Sequence, residues 1–138
     1  MSANSRSRRP RTRPRPPEEQ RLHDLVASAL AARYARRGHA VFINPGPTKV
    51  MRVRGKYPDV VVMMKRRRAV MPVIEVETRS SVSREEAARQ WLDYDAIYDR
   101  WYLAVPKASR RTAKSLILEH DLQNVALITW SFDFDALP

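Results

Sequence analysis

The fold turns on residues 58–78, PDVVVMMKRRRAVMPVIEVET. Two apolar runs rich in β-branched residues flank the basic segment KRRR at 65–68. That pattern predicts two strands, near 59–64 and 69–77, joined by a charged turn. Three acids interrupt it: Asp59 opens the first strand, and Glu75 and Glu77 lie within the second. Carboxylates are costly to bury unless they are paired, hydrogen-bonded or bound to a metal. Side chains alternate along a strand, so Asp59, Val61 and Met63 share one face, as do Val73, Glu75 and Glu77. A hairpin centred on Arg67 sets Met64 opposite Val70 and Asp59 opposite Glu75. Directly opposed Cβ atoms lie about 4.5–5.5 Å apart. Two carboxylates that close repel unless a cation lies between them, and Mg²⁺ or Mn²⁺ prefers oxygen ligands. A slip of one residue would put Ile74 opposite Asp59 instead. An alternative reading has Asp59 capping the turn after Pro58, with Glu75 and Glu77 paired to Arg52, Arg54 or Arg79.

Outward from this hairpin, the chain reads as one mixed α/β domain over 18–138 with a single central sheet flanked by helices. EEQRLHDLVASALAARYARRG predicts a helix over about 18–37. Its apolar positions Leu22, Leu25, Val26, Ala29, Leu30 and Ala32 form a stripe, Glu18 and Glu19 suit the dipole, and Gly38 supplies a stop. HAVFIN at 39–44 predicts a short strand, and residues 50–53 could add another. Ser83 with Glu86 makes a capping-box pattern for a helix carrying Ala87, Trp91, Tyr94 and Tyr98. WYLAVP at 101–106 and VALITW at 125–130 predict strands, with a helix over 109–120 between them.

Length suits one domain with a real core. The absence of cysteine excludes disulfides, zinc–thiolate and Fe–S sites, and a thiol nucleophile. No apolar run reaches the roughly 20 residues of a membrane span, so no membrane partner is expected. The net charge of +11 points to a polyanion, nucleic acid first. Residues 1–17 carry six arginines and no acid, which predicts a disordered basic arm able to follow phosphates. His23, His39 and His120 are scattered without ligand spacing and read as surface residues. Trp91, Trp101 and Trp130 read as core or interface.

The residues Pro58-Asp59 followed by Glu75-Val76-Glu77 resemble the signature of the PD-(D/E)XK nuclease superfamily. The predicted order matches that superfamily's restriction-endonuclease-like αβββαβ core over roughly 18–106. Gln90 and Tyr94, one helical turn apart, are similar to the QxxxY motif of RecB-type nucleases. A helix-1 glutamate, Glu19 or Glu18, corresponds to a feature of Holliday-junction resolvases. The resemblance implies Asp59, Glu75, the Val76 carbonyl and Glu19 as ligands of Mg²⁺ or Mn²⁺. It implies Gln90 and Tyr94 as residues that orient those ligands or touch phosphate. Glu77 stands where the superfamily usually has lysine and is a candidate base or further ligand; Lys49, Lys56 and Lys107 are candidates for the lysine's role. The expected activity is metal-dependent DNA endonucleolysis, resolvase-like on branched DNA, by a cytoplasmic homodimer. Lys49, Arg52, Arg54, Lys56, Arg66, Arg67, Arg68 and Arg79 would meet the DNA. The alternative expectation is a nuclease-fold module that binds nucleic acid without cutting it, or an accessory subunit of a nucleoprotein assembly.

Overall fold

The computed structural model describes residues 15–44, 49–64 and 72–131. Helix α1, Pro17–Arg36, is followed by strands β1 (Ala40–Ile43), β2 (Val60–Met63) and β3 (Val73–Val76). A 3₁₀ turn at Arg79–Ser81 leads into helix α2, which has three segments. These are α-helical Arg84–Glu86, π-helical Ala87–Trp91 and α-helical Leu92–Ile97. Strand β4 (Trp101–Pro106), helix α3 (Arg110–Glu119) and strand β5 (Val125–Trp130) complete the order.

The five strands form one mixed sheet in the order β1-β2-β3-β4-β5. The first three strands are antiparallel, and β3, β4 and β5 are parallel. Antiparallel neighbours need only turns, whereas parallel ones need crossovers. Helices α2 and α3 supply those crossovers. The β2–β3 ladder pairs Val60 with Ile74 and Val61 with Val73. This is the register expected of a hairpin centred on Arg67, and one step further it brings Asp59 to Glu75.

Both faces of the sheet are covered. Val60, Val62, Ile74, Val76 and Ala104 pack on α1. Val61, Val73, Trp101, Leu103 and Val105 pack on α2 and α3. This double burial explains why VVV at 60–62 shows no polar alternation. Trp91 and Trp101 are wholly buried, while Trp130 packs at the edge of the α1-side cluster.

The helix boundaries follow the local chemistry. Pro17 sits in the first turn of α1, where its missing N–H costs nothing, and Gly38 adopts φ +88° just past its end. The buried face of α1 is His23, Val26, Ala27 and Ala31. It is rotated from the stripe expected from leucine and alanine spacing, and Leu25 is exposed. Ser83 Oγ accepts from the Glu86 N–H and starts α2. Asp95, late in α2, accepts from the N–H groups of Gln123 and Asn124 and from Trp101 Nε1. It thereby ties the end of the helix to the start of β5.

Among the described residues, the segment near 50–53 forms no strand. It makes an isolated bridge between Val53 and Lys56 across a tight turn, with Arg54 and Gly55 both at positive φ. Residues 1–14 of the expected arm and the hairpin tip 65–71, with Lys65, Arg66, Arg67 and Arg68, lie outside the described residues. At the arm's boundary Arg15 is held by side-chain contacts, and α1 begins at Pro17. No described helix is long and apolar enough to cross a membrane.

Candidate functional site

The sheet and α2 together gather the acids. Asp59 lies just before β2, Glu75 within β3, and Glu77 just after it. The Asp59 N–H donates to Glu75 Oε1 at 3.0 Å, and the Val76 N–H donates to Asp59 Oδ2 at 2.8 Å. Glu75 therefore holds the backbone of Asp59, and Asp59 holds the backbone of Val76, the residue after Glu75. Tyr94 Oη donates to Glu75 Oε1 at 2.9 Å and Gln90 Nε2 to Glu75 Oε2 at 2.9 Å. Trp91 Nε1 donates to Glu77 Oε2 at 2.7 Å. The π-helical turn of α2 carries Gln90 and Trp91 as neighbours, so one reaches Glu75 and the other Glu77. Such turns are rare and often stand at functional sites.

Burial makes Glu75 and Glu77 expensive to ionise. Burial, then the charges of Asp59 and Glu77, push Glu75 well above the usual carboxylate range. Burial, then Glu86, pushes Glu77 up to about 8 against the opposing effects of Trp91 and Arg15. Burial also raises Glu86, which faces the same group of acids. Tyr94 is driven far upward by burial and by Glu75, so it stays a hydrogen-bond donor at any ordinary pH.

Two contributors were not foreseen. His23, read from sequence as a surface residue, is 4% exposed. It is part of the α1 face that packs on the sheet. Its Nδ1 meets Asp24 at 3.0 Å, and its Nε2 lies 3.1 Å from Asp59 Oδ2 at an angle short of a hydrogen bond. Burial lowers its pKa, but Asp59 and Asp24 outweigh that and leave it raised. The signal was its position three and four residues before Val26 and Ala27. Beside His23 and Asp59 lies a cavity of about 230 Å³ lined also by Ala27, Ile43, Asn44 and Val50. Arg15 is the second. Its Nε donates to Thr78 Oγ1, and its Nη2 to the Val76 carbonyl and Glu77 Oε1. Nothing local in the arm's composition announces this.

Glu19 takes a different place from the one expected. It accepts from the N–H and Oγ of Ser80 at 3.0 and 2.9 Å, tying α1 to the turn after β3. Burial raises its pKa, but the two Ser80 bonds outweigh that and leave it lowered. Lys56 pairs with Asp93 at 3.4 Å, and Arg54 Nη1 donates to the Ile97 carbonyl. Lys49, Arg52, Arg79 and Lys107 are exposed.

Among the described residues, no three His, Asp or Glu side chains form a ready-made metal cluster. The donor set of Asp59 and Glu75 is nevertheless all oxygen, with two mutually repelling carboxylates, while the Val76 carbonyl accepts from Arg15. Oδ1 of Asp59 takes no hydrogen bond from the described residues. That chemistry fits a hard divalent ion such as Mg²⁺, which is often held by one or two carboxylates plus water and substrate phosphate. Compared with known proteins, the chain matches no family model, no curated sequence and no solved structure.

Proposed function

We propose that the protein is a metal-dependent DNA endonuclease with a restriction-endonuclease-like core. One observation carries this reading: Asp59 and Glu75, on adjacent strands, are clasped together, with Gln90 and Tyr94 both delivered to Glu75. A purely structural hairpin gains little from a buried acid set against a second, half-buried one that repels it.

Asp59 and Glu75 would hold Mg²⁺ or Mn²⁺, while the Val76 carbonyl, the other ligand the resemblance implies, is taken by Arg15. The ion, when bound, would polarise the phosphoryl oxygen and make the attacking water more acidic. Gln90 and Tyr94 fix both oxygens of Glu75, so the carboxylate needs no reorganisation when substrate arrives. His23 restrains Asp59 from the α1 side. Glu77 has both oxygens engaged and is 1% exposed, so its part is to anchor Arg15 rather than to meet water. Arg52, Arg79 and Lys49, with the arginines of the N-terminal arm, supply the positive approach for DNA. The site is cytoplasmic in this reading, and a resolvase-like substrate would require a homodimer to cut two strands symmetrically.

A second reading also has a specific observation. Both oxygens of Glu75 are already taken by protein donors, as suits a nuclease-fold module that binds without cutting. Cleavage of linear and four-way-junction DNA in Mg²⁺ or Mn²⁺ separates the two. Wild type should cut only with metal, and Asp59→Asn and Glu75→Gln should each abolish cutting. Cutting that survives both substitutions would refute the site. Tight binding without cutting in either metal would establish the module.

A further inference from the structure

Arg15 is held in an unusual way for the last arginine of a basic arm. Its Nε donates to Thr78 Oγ1 at 3.1 Å. Its Nη2 faces the Val76 carbonyl at 3.3 Å, Glu77 Oε1 at 3.2 Å and Ser81 Oγ at 3.5 Å. The socket holds itself together without the arginine. Ser81 Oγ donates to Glu77 Oε1 at 3.1 Å and accepts from the Thr78 N–H at 2.9 Å. One edge of the guanidinium is thus fixed against the end of β3. Nη1 has no partner among the described residues, and the side chain keeps 21% exposure. A guanidinium locked on one edge loses little entropy when its outer edge binds an anion.

Its location adds a second constraint. Val76 gives its carbonyl to Arg15 and its N–H to Asp59 Oδ2. One residue therefore links the arginine to the clasped acids. Asp59, Glu75, Glu77 and Glu86 bring four carboxylates to this region. Among the described residues, Arg15 makes the only ion pair to Glu77 by a permanently charged group. A polyanion entering here needs a fixed cation to meet.

We propose that Arg15 is a phosphate-binding catalytic residue, its Nη1 edge donating to a non-bridging oxygen of the phosphodiester placed at Asp59 and Glu75. This rests on the nuclease reading and deepens it. In the hydrolysis the water oxygen bonds to phosphorus and the bond to the leaving oxygen breaks. One water proton ends on the leaving oxygen and the other on the phosphate product or solvent. Arg15 keeps its protons throughout and opposes the charge that grows on the non-bridging oxygen.

The full-length chain tests this by steady-state DNA cleavage in Mg²⁺ and by the salt dependence of DNA binding in EDTA. Arg15→Gln should lower kcat by about 10²–10³, as loss of one oriented donor does, with KM changed far less. The slope of log affinity against log salt should fall by about one unit. Millimolar guanidinium should restore part of the kcat of Arg15→Ala, and Arg15→Lys should retain more kcat than Arg15→Gln. Lys114→Gln, the same charge change at an exposed helix position, should leave kcat unchanged. Arg15→Gln with wild-type kcat and wild-type slope would overturn the proposal. So would recovery of kcat in the Arg15→Gln/Glu77→Gln double variant, because Arg15 would then serve only to neutralise Glu77. If wild type cuts no DNA, the nuclease reading fails and the salt slope alone decides. A drop of about one unit keeps the phosphate contact, and no drop removes it.

Discussion

Glu75 offers the sharpest separation of structural from functional demand. Its carboxylate accepts from the Asp59 N–H, Tyr94 Oη and Gln90 Nε2, and it is wholly inside the protein. Glu75→Ala strands those three donors and opens a cavity. At about 1–3 kcal/mol for each buried group left unpaired, and without full additivity, the cost is roughly 3–6 kcal/mol. Glu75→Gln keeps the shape and the acceptor oxygen for Asp59 and Tyr94, and Gln90 can turn its amide to offer oxygen to the new NH₂. It also removes the repulsion from Asp59 and Glu77 that lifts the Glu75 pKa. Without metal, Glu75→Gln should therefore melt at or above the wild-type temperature, while Glu75→Ala should fall by about 6 °C or more at roughly 2–8 °C per kcal/mol. With Mg²⁺ the order should change. A ligand at 100 times its Kd adds about 2.7 kcal/mol to the state that binds it, so wild type should gain several degrees and Glu75→Gln none. Differential scanning calorimetry in EDTA and in a Mg²⁺ series measures both. A Glu75→Gln protein that gains as much from Mg²⁺ as wild type would refute the reasoning, and so would one that melts as low as Glu75→Ala.

Asn44 is 1% exposed and makes four hydrogen bonds, to the carbonyls of Met51 and Pro58 and from the N–H groups of Val50 and Met51. Asn44→Ala should cost roughly 3–5 kcal/mol by denaturant titration. It should also lower cleavage in the remaining folded protein, because the Pro58 carbonyl it holds adjoins Asp59. Trp91→Phe removes the indole donor to Glu77 from a fully buried site. It should cost about 3 kcal/mol through the lost charge-assisted bond and the space left behind. A change below 1 kcal/mol would show that Glu77 is held without Trp91.

The β2–β3 register was readable because it is a local matter. The strands are close in sequence, β-branched residues mark their extent, and a symmetrical turn fixes the pairing once its centre is chosen. That Gln90 and Tyr94 share one helix face was readable from their spacing, whereas a role for them near the acids was implied only by the resemblance. The buried face of α1 was harder to find. Leu25, Ala29 and Ala32 fit a helical stripe as well as the true face does, and the polar His23 on that face has Asp24 bonded at Nδ1 and the Asp59 carboxylate close to Nε2. Glu19 was assigned by its helix alone. Its place was decided by Ser80, 61 residues away, and no periodicity reports a contact at that separation.

Arg15 shows the limit most clearly, and it also explains position 77. Composition makes residues 1–17 a solvated arm, since they offer nothing apolar to a core. Yet a fully buried Glu77 requires positive charge or a proton, and the nearest basic residue along the chain, Arg79, is exposed. The cation beside Glu77 comes instead from the arm. An acid at 77 and an arginine at 15 then form a single unit: the acid orients the guanidinium, and the guanidinium makes the acid tolerable. Substituting lysine for Glu77 would remove the carboxylate that pairs with Arg15 and set a second cation beside it, and should expel Arg15 from its socket. Position 77 therefore cannot be judged as a lone departure from a motif, because its chemistry is completed 62 residues earlier.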